Sequence, residues 1–162
     1  MIYEVEGDLM LSRAAVVVQA VGVHDPMTTG LSRKLHERFP VMVESFHQWC
    51  KETQAEPGQL WTWGESGKAI IVNLLTHEAD DDPSRQRRPD KIALNRCLKA
   101  LNALYHDRRF SSMAMPMLGA GERGLDWPEV KDMMNSQLGD LLIPIFIYTK
   151  QLDGQLAHES GL

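Results

Sequence analysis

The stretch Pro116-Met117-Leu118-Gly119-Ala120-Gly121-Glu122-Arg123-Gly124-Leu125-Asp126-Trp127 puts three glycines within six residues, where a strand hands over to a helix. Upstream, Phe110 to Met115 is a short apolar run that reads as a buried strand. Downstream, Asp126 to Leu138 reads as a helix with Pro128 inside its first turn. Glycine allows positive φ and lets a ligand approach the backbone closely. Unpaired amides at such a loop suit a phosphate. A tight turn that needs glycines for geometry alone gives the same pattern, so the reading depends on whether the chain has a second loop of this kind.

It has one near the N-terminus. Ala14 to Val21 is a continuous β-branched, apolar run, the signature of a strand covered on both faces. It stops at Gly22, and the loop Gly22-Val23-His24-Asp25-Pro26-Met27-Thr28-Thr29-Gly30 leads into a helix from Leu31 to Phe39. Thr28 or Thr29 can cap that helix, or its N-terminus can receive an anionic or hydroxyl-rich ligand. The rest of the pattern is consistent with these two loops. Ile2 to Glu6 alternates as a first strand, and Val41 to Glu52 is a second helix after Pro40. Gln59 to Trp63 and Ala69 to Leu75 flank a hairpin signal, and Lys91 to His106 is a strongly periodic helix. Leu141 to Tyr148 is the last strand. Six strands interleaved with four helices predict a three-layer α/β/α domain, whose ligands bind at the carboxyl ends of the strands.

A hydrophobic fraction of 43% and a charged fraction of 24% over 162 residues indicate one globular domain with a real core. The net charge of −5 argues against general binding to a phosphate backbone. Cys50 and Cys97 are isolated thiols with no metal or redox spacing, and no metal-ligand cluster is seen. Met1 to Asp8 carries acidic residues and no apolar core, so no signal peptide is expected. No run reaches membrane-spanning length, and the protein is read as a cytoplasmic monomer. The polar segment Glu78 to Asp90 reads as a surface loop. Residues 151–162 show no packing pattern and are expected to form a disordered tail after a domain at 1–150. Trp61 and Trp63 read as a surface cluster or core, and the nine methionines as core filling.

Gly7-Asp8-Leu9, Met27-Thr28-Thr29-Gly30-Leu31, Leu35 to Pro40, Leu74-Leu75-Thr76, and Leu118-Gly119-Ala120-Gly121 through Gly124-Leu125-Asp126-Trp127 occur in order across about residues 2–149. Together they resemble a macrodomain, of the subfamily that includes the terminal ADP-ribose protein glycohydrolase and the DarG antitoxin. The resemblance implies a mixed six-stranded sheet with ADP-ribose bound in a cleft at its carboxyl edge, and no cofactor. It places the adenine amine at Asp8 with Leu9 beside the ring. It puts the distal ribose and one phosphate in Gly22 to Gly30, and the diphosphate in Gly119, Ala120, Gly121, Glu122, Arg123 and Gly124. Tyr148 would close over the adenine.

The departures from the family pattern bear on activity. Where such hydrolases carry a lysine after the Leu-Leu-Thr strand end, this chain has His77, and the aspartate of the glycine loop is Arg123. His77 can serve as a general base, with His24 or Asp25 assisting. Arg123 stays protonated and can only pair with a phosphate. The expected function is ADP-ribose binding with hydrolysis of an ADP-ribosyl bond on a protein or nucleic acid, by a mechanism without the lysine. The alternatives are a non-catalytic ADP-ribose reader, or a pocket for a further-phosphorylated ADP-ribose held by Arg123.

Overall fold

The computed structural model describes residues 1–79, 88–120 and 124–162. Its strands are β1 (Ile2–Gly7), β2 (Val16–Gly22), β3 (Leu60–Trp63), β4 (Ile70–His77), β5 (Met113–Pro116) and β6 (Ile145–Gln151). Its helices are α1 (Gly30–Arg38), α2 (Pro40–Thr53), α3 (Lys91–Arg108) and α4 (Trp127–Leu138). The strands form one sheet in the order β1-β6-β5-β2-β4-β3, parallel throughout except for β3, which runs antiparallel to β4. The expected three-layer mixed sheet is therefore present.

Strand alternation divides the apolar residues between two cores. Val16 and Val18 of β2, Val72 and Leu74 of β4, and Ile145 and Ile147 of β6 pack with Leu94, Leu98 and Leu101 of α3 and Val130 of α4. Val17, Val21, Ile71, Leu75, Phe146 and Tyr148 project to the other face, onto Leu35 of α1 and Met42 and Phe46 of α2. Each fully buried leucine contributes about 1.5–3 kcal/mol of transfer free energy, so α3 alone clamps its face of the sheet firmly. Trp49, Trp61 and Trp63 join this second layer, with Trp61 stacked on Trp49 at 6.2 Å and tilted against Phe46 at 5.5 Å, whereas Trp127 packs on the first. Both thiols are buried, and burial pushes that of Cys97 up to about 12, so neither is a nucleophile near neutral pH.

β5 and β6 begin three and four residues later than their apolar runs. β5 starts at Met113, and just before it the Ser112 hydroxyl accepts from Ala15 N at 2.8 Å. β6 starts at Ile145, after Pro144, which has no N–H to give a ladder; Leu142 before it is 94% exposed. The tail differs more. Instead of lying loose, residues 152–162 fold back on the domain and bury Glu159 at 5% exposure. Its carboxylate accepts from Ser12 Oγ (2.6 Å), Arg13 N (2.8 Å) and Tyr148 Oη (3.1 Å). Polar bonds hold this segment, which is why no apolar period announced it. Among the described residues, no helix is long and apolar enough to cross a membrane.

Candidate functional site

Because five strands are parallel, Gly7, Gln151, Pro116, Gly22 and His77 all end on one edge of the sheet. The loops that follow these strands therefore share one edge of the sheet, with Asp8 after β1 on one side and His77 at the end of β4 on the other.

At the first end, Asp8 caps a 3-10 turn at Leu9–Leu11 and accepts from Met10 N through Oδ1 at 3.0 Å. Oδ1 also takes Gln151 Nε2 at 2.9 Å, and Oδ2 takes Gly154 N at 2.9 Å. Burial pushes its pKa up, but the donors Gly154 N, Gln151 and Met10 N and the charge of Lys34 outweigh it and hold the carboxyl below its ordinary value. The stability this adds is in place above the ordinary aspartate range and is lost as the pH falls through the depressed value. Leu9 is 3% exposed and belongs to the core beneath the turn.

Tyr148 does not close over this end. Strand parity puts it on the face of Phe146, where it is 5% exposed with its hydroxyl on Glu159. Burial and the charge of Glu159 raise its pKa further above the usual phenol range.

The loop Gly22–Gly30 is built around Asp25. One of its carboxylate oxygens accepts from Gly22 N (2.9 Å) and the other from Met27 N (2.8 Å), while Asp25 O accepts from His47 Nε2 (2.7 Å). Asp25 thus shapes the loop, and its expected role as an assisting base gives way to that structural one. Met27 is fully buried, with its carbonyl 3.2 Å from His36 Nδ1, so its side chain anchors the loop and does not meet a ligand. His24 is exposed on the surface. His24 and Met27 both have positive φ, 56° and 53°, a strain of order 1–3 kcal/mol each that tends to gather at binding loops.

Thr29 is the N-cap of α1 but makes no side-chain cap bond. Thr28, Thr29 and Gly30 are all exposed, Leu31 is half-buried, and no atom lies within 4 Å of the position a Gly30 Cβ would take. Of the two readings of this loop, the structure therefore favours an uncapped helix start with its amides and positive dipole end turned outward.

His77 stands directly against this loop. The β2–β4 register shifts between Val21 and Gly22, so that Val21 pairs with Leu75, Gly22 with His77, and Thr76 is the extra residue. The bulge buries Thr76, whose hydroxyl donates to Val21 O (3.4 Å) and lies 3.0 Å from His77 Nδ1. It also brings the imidazole so close to Gly22 that a Cβ there would sit 2.6 Å from Nε2. Gly22→Ala is thus expected to turn the ring away while leaving the core intact. A shift of the His77 imidazole resonances with little change in melting temperature, read side by side, checks this. Beyond His77 a cavity of about 510 Å³ opens, lined among others by Pro57, Glu78, Arg88, Asp90 and Arg96. Nothing in the sequence pattern marked it.

In the glycine loop Leu118 is buried, and Gly119 has φ 66°, as a turn of this hand requires. Leu125 N donates to Gly119 O at 2.7 Å and Ala120 N to Met117 O at 3.1 Å, closing the loop upon itself. Gly124 is exposed, and Asp126 caps α4 by accepting from Glu129 N at 3.4 Å. Gly121, Glu122 and Arg123, expected at the diphosphate, lie outside the described residues.

No family model matches the chain. A protein of Thermus aquaticus named DNA ADP-ribosyl glycohydrolase is 27% identical over 158 residues, which is 95% of this chain and 42% of that protein. A Mycobacterium bovis protein of the same name is 28% identical over 140 residues, 83% of this chain and 38% of its own length. The chain therefore spans about two fifths of the curated relatives it matches. The solved macrodomain of Thermus aquaticus DarG superposes with a TM-score of 0.80 at 27% identity, covering 92% of this chain and 98% of that one. Thermosipho africanus DarTG in complex with ADP-ribose gives 0.81 at 23% identity, over 96% and 43% of the two chains. The fold is that of a macrodomain, and it is similar to DarG macrodomains.

Proposed function

We propose that this chain binds ADP-ribose along the carboxyl edge of its sheet and hydrolyses the glycosidic bond joining ADP-ribose to DNA. The observation that carries the reading is the pairing of His77 with Gly22, which sets an imidazole against the first residue of the loop that leads to the uncapped start of α1. Adenine seats at Asp8, the phosphates meet the loops after β2 and β5, and the distal ribose reaches His77. The Thr76 hydroxyl donates to Val21 O and lies 3.0 Å from His77 Nδ1, which holds the ring in place. Water attacks C1″ and passes a proton to His77, the bond from C1″ to the DNA breaks, and the departing DNA group takes up the proton that His77 received. ADP-ribose and repaired DNA are the products. The names of the Thermus and Mycobacterium relatives support DNA as the acceptor.

The test is incubation of the chain with an ADP-ribosylated oligonucleotide and with ADP-ribosylated protein, reading free ADP-ribose. Release from DNA is the expected result, and binding without release from either substrate would make the protein a reader. That second reading has its own support, since Asp25 is committed to loop amides and cannot replace a missing acidic partner. Asp8→Ala is expected to weaken ADP-ribose by roughly 1.5–3 kcal/mol, the range for a hydrogen bond to a charged group. Ribose 5-phosphate should bind as before in the same calorimeter, and parallel losses would mean damage to the fold.

A further inference from the structure

The chain segment after β6 does more than cover the domain. We infer that Gln151, Gly154 and Glu159 form a positioning element that aims the Asp8 carboxylate and thereby sets selectivity for a 6-amino purine over a 6-oxo purine. The inference rests on the reading that adenine seats at Asp8.

The bonds converge on one residue. The β1–β6 register shifts between Val5 and Glu6, which leaves Thr149 as the extra residue and sets Gln151 opposite Gly7. From there Gln151 Nε2 donates to Asp8 Oδ1 at 2.9 Å, and Gln151 Oε1 accepts from Leu9 N at 3.3 Å. The turn that follows brings Gly154 N to Asp8 Oδ2, and Asp8 N donates to Gln155 O at 2.7 Å. A carboxylate offers about four acceptor positions. Met10 N and Gln151 fill those of Oδ1 and Gly154 N takes one of Oδ2, so the second position of Oδ2 remains among the described contacts. One vacant acceptor on an ionised oxygen matches one N–H of an exocyclic amine and repels a ring carbonyl.

Two anchors keep the segment in place. Lys34 Nζ of α1 reaches Asp153 Oδ1 at 3.1 Å, and the buried Glu159 carboxylate binds Ser12, Arg13 and Tyr148 below the turn. Further along, the segment passes Gly7 so closely that a Cβ at Gly7 would lie 2.7 Å from Ala157 N. Asp8 is therefore held from its own turn, from β6 and from the tail, and the tail is the part that the strands do not supply.

Calorimetry of the full chain with ADP-ribose, inosine diphosphate ribose and ribose 5-phosphate tests this. Wild type is expected to favour the 6-amino over the 6-oxo ligand by about 10- to 100-fold, the range of one hydrogen bond to a charged group. Gln151→Met, which keeps the bulk and loses the side-chain bonds to Asp8, Leu9 and Asp153, should bring that ratio down by about tenfold, with ribose 5-phosphate unaffected. Glu159→Ala, which releases the tail from below, should shift the ratio the same way. A ratio unchanged in both variants overturns the inference while ADP-ribose binding stands. So does a parallel loss of all three ligands in both, since damage to the fold has no reason to prefer one purine. Failure of wild type to bind ADP-ribose overturns the proposed function itself, and the inference with it.

Discussion

His77→Ala is expected to lower the rate of ADP-ribose release by about 10²–10⁴-fold while leaving ADP-ribose affinity within a few-fold. A general base acts on the attacking water and contributes little to holding the diphosphate, so its loss belongs in kcat. The geometry sharpens the expectation, because the ring is fixed from two sides by Thr76 and Gly22. An imidazole held in this way loses little freedom when substrate arrives, and truncation removes the proton acceptor without opening the core. Single-turnover kinetics on an ADP-ribosylated oligonucleotide, paired with calorimetry of ADP-ribose, separate the two quantities. Full rate in His77→Ala would move catalysis to the Gly22–Gly30 loop. There His24 is exposed and Asp25 is bound to backbone amides.

What the sequence disclosed and what it hid follow from different physics. A parallel strand covered on both faces must be apolar along its whole length, so the run ending at Val21 identified β2 directly. Helices α2 and α3 declared themselves through spacing, and α4 through Asp126 and Pro128 at its start. The bulges at Thr76 and Thr149 were invisible, because a bulge is a property of two strands in register and leaves no compositional mark on either. Yet those two bulges bring His77 to Gly22 and Gln151 to Gly7. Tyr148 was misread for a related reason. Its nearness to the strand end suggested the cleft, whereas parity relative to Phe146 decides its face. Asp8 was legible as a turn residue and as a ligand group, and its carboxylate has acceptors enough to serve both roles.

A polar chain through the middle of the sheet escaped the sequence reading altogether, and its removal should cost about as much stability as truncating a core leucine. Gln19 lies within the apolar run of β2 and is 2% exposed. Its Nε2 donates to the fully buried Asn73 Oδ1 at 2.7 Å, and its Oε1 accepts from Ser32 Oγ at 2.9 Å. Asn73 Nδ2 continues to Trp61 O at 3.4 Å, so one row of bonds ties α1 to β2, β4 and β3. Gln19→Ala would leave an orphaned acceptor on Asn73 and a void beside Met27, and should cost about 2–4 kcal/mol. At this chain size each kcal/mol lowers the melting temperature by about 2–4 °C, so calorimetry resolves the loss. Ser32 stands in the first turn of α1, so the variant should also weaken ADP-ribose binding. Leu98→Ala on the α3 face, with a comparable cost of about 2–5 kcal/mol, should leave affinity alone. Equal loss of affinity in both variants would show that Gln19 acts on the ligand only through global stability, and that the start of α1 is not held from beneath.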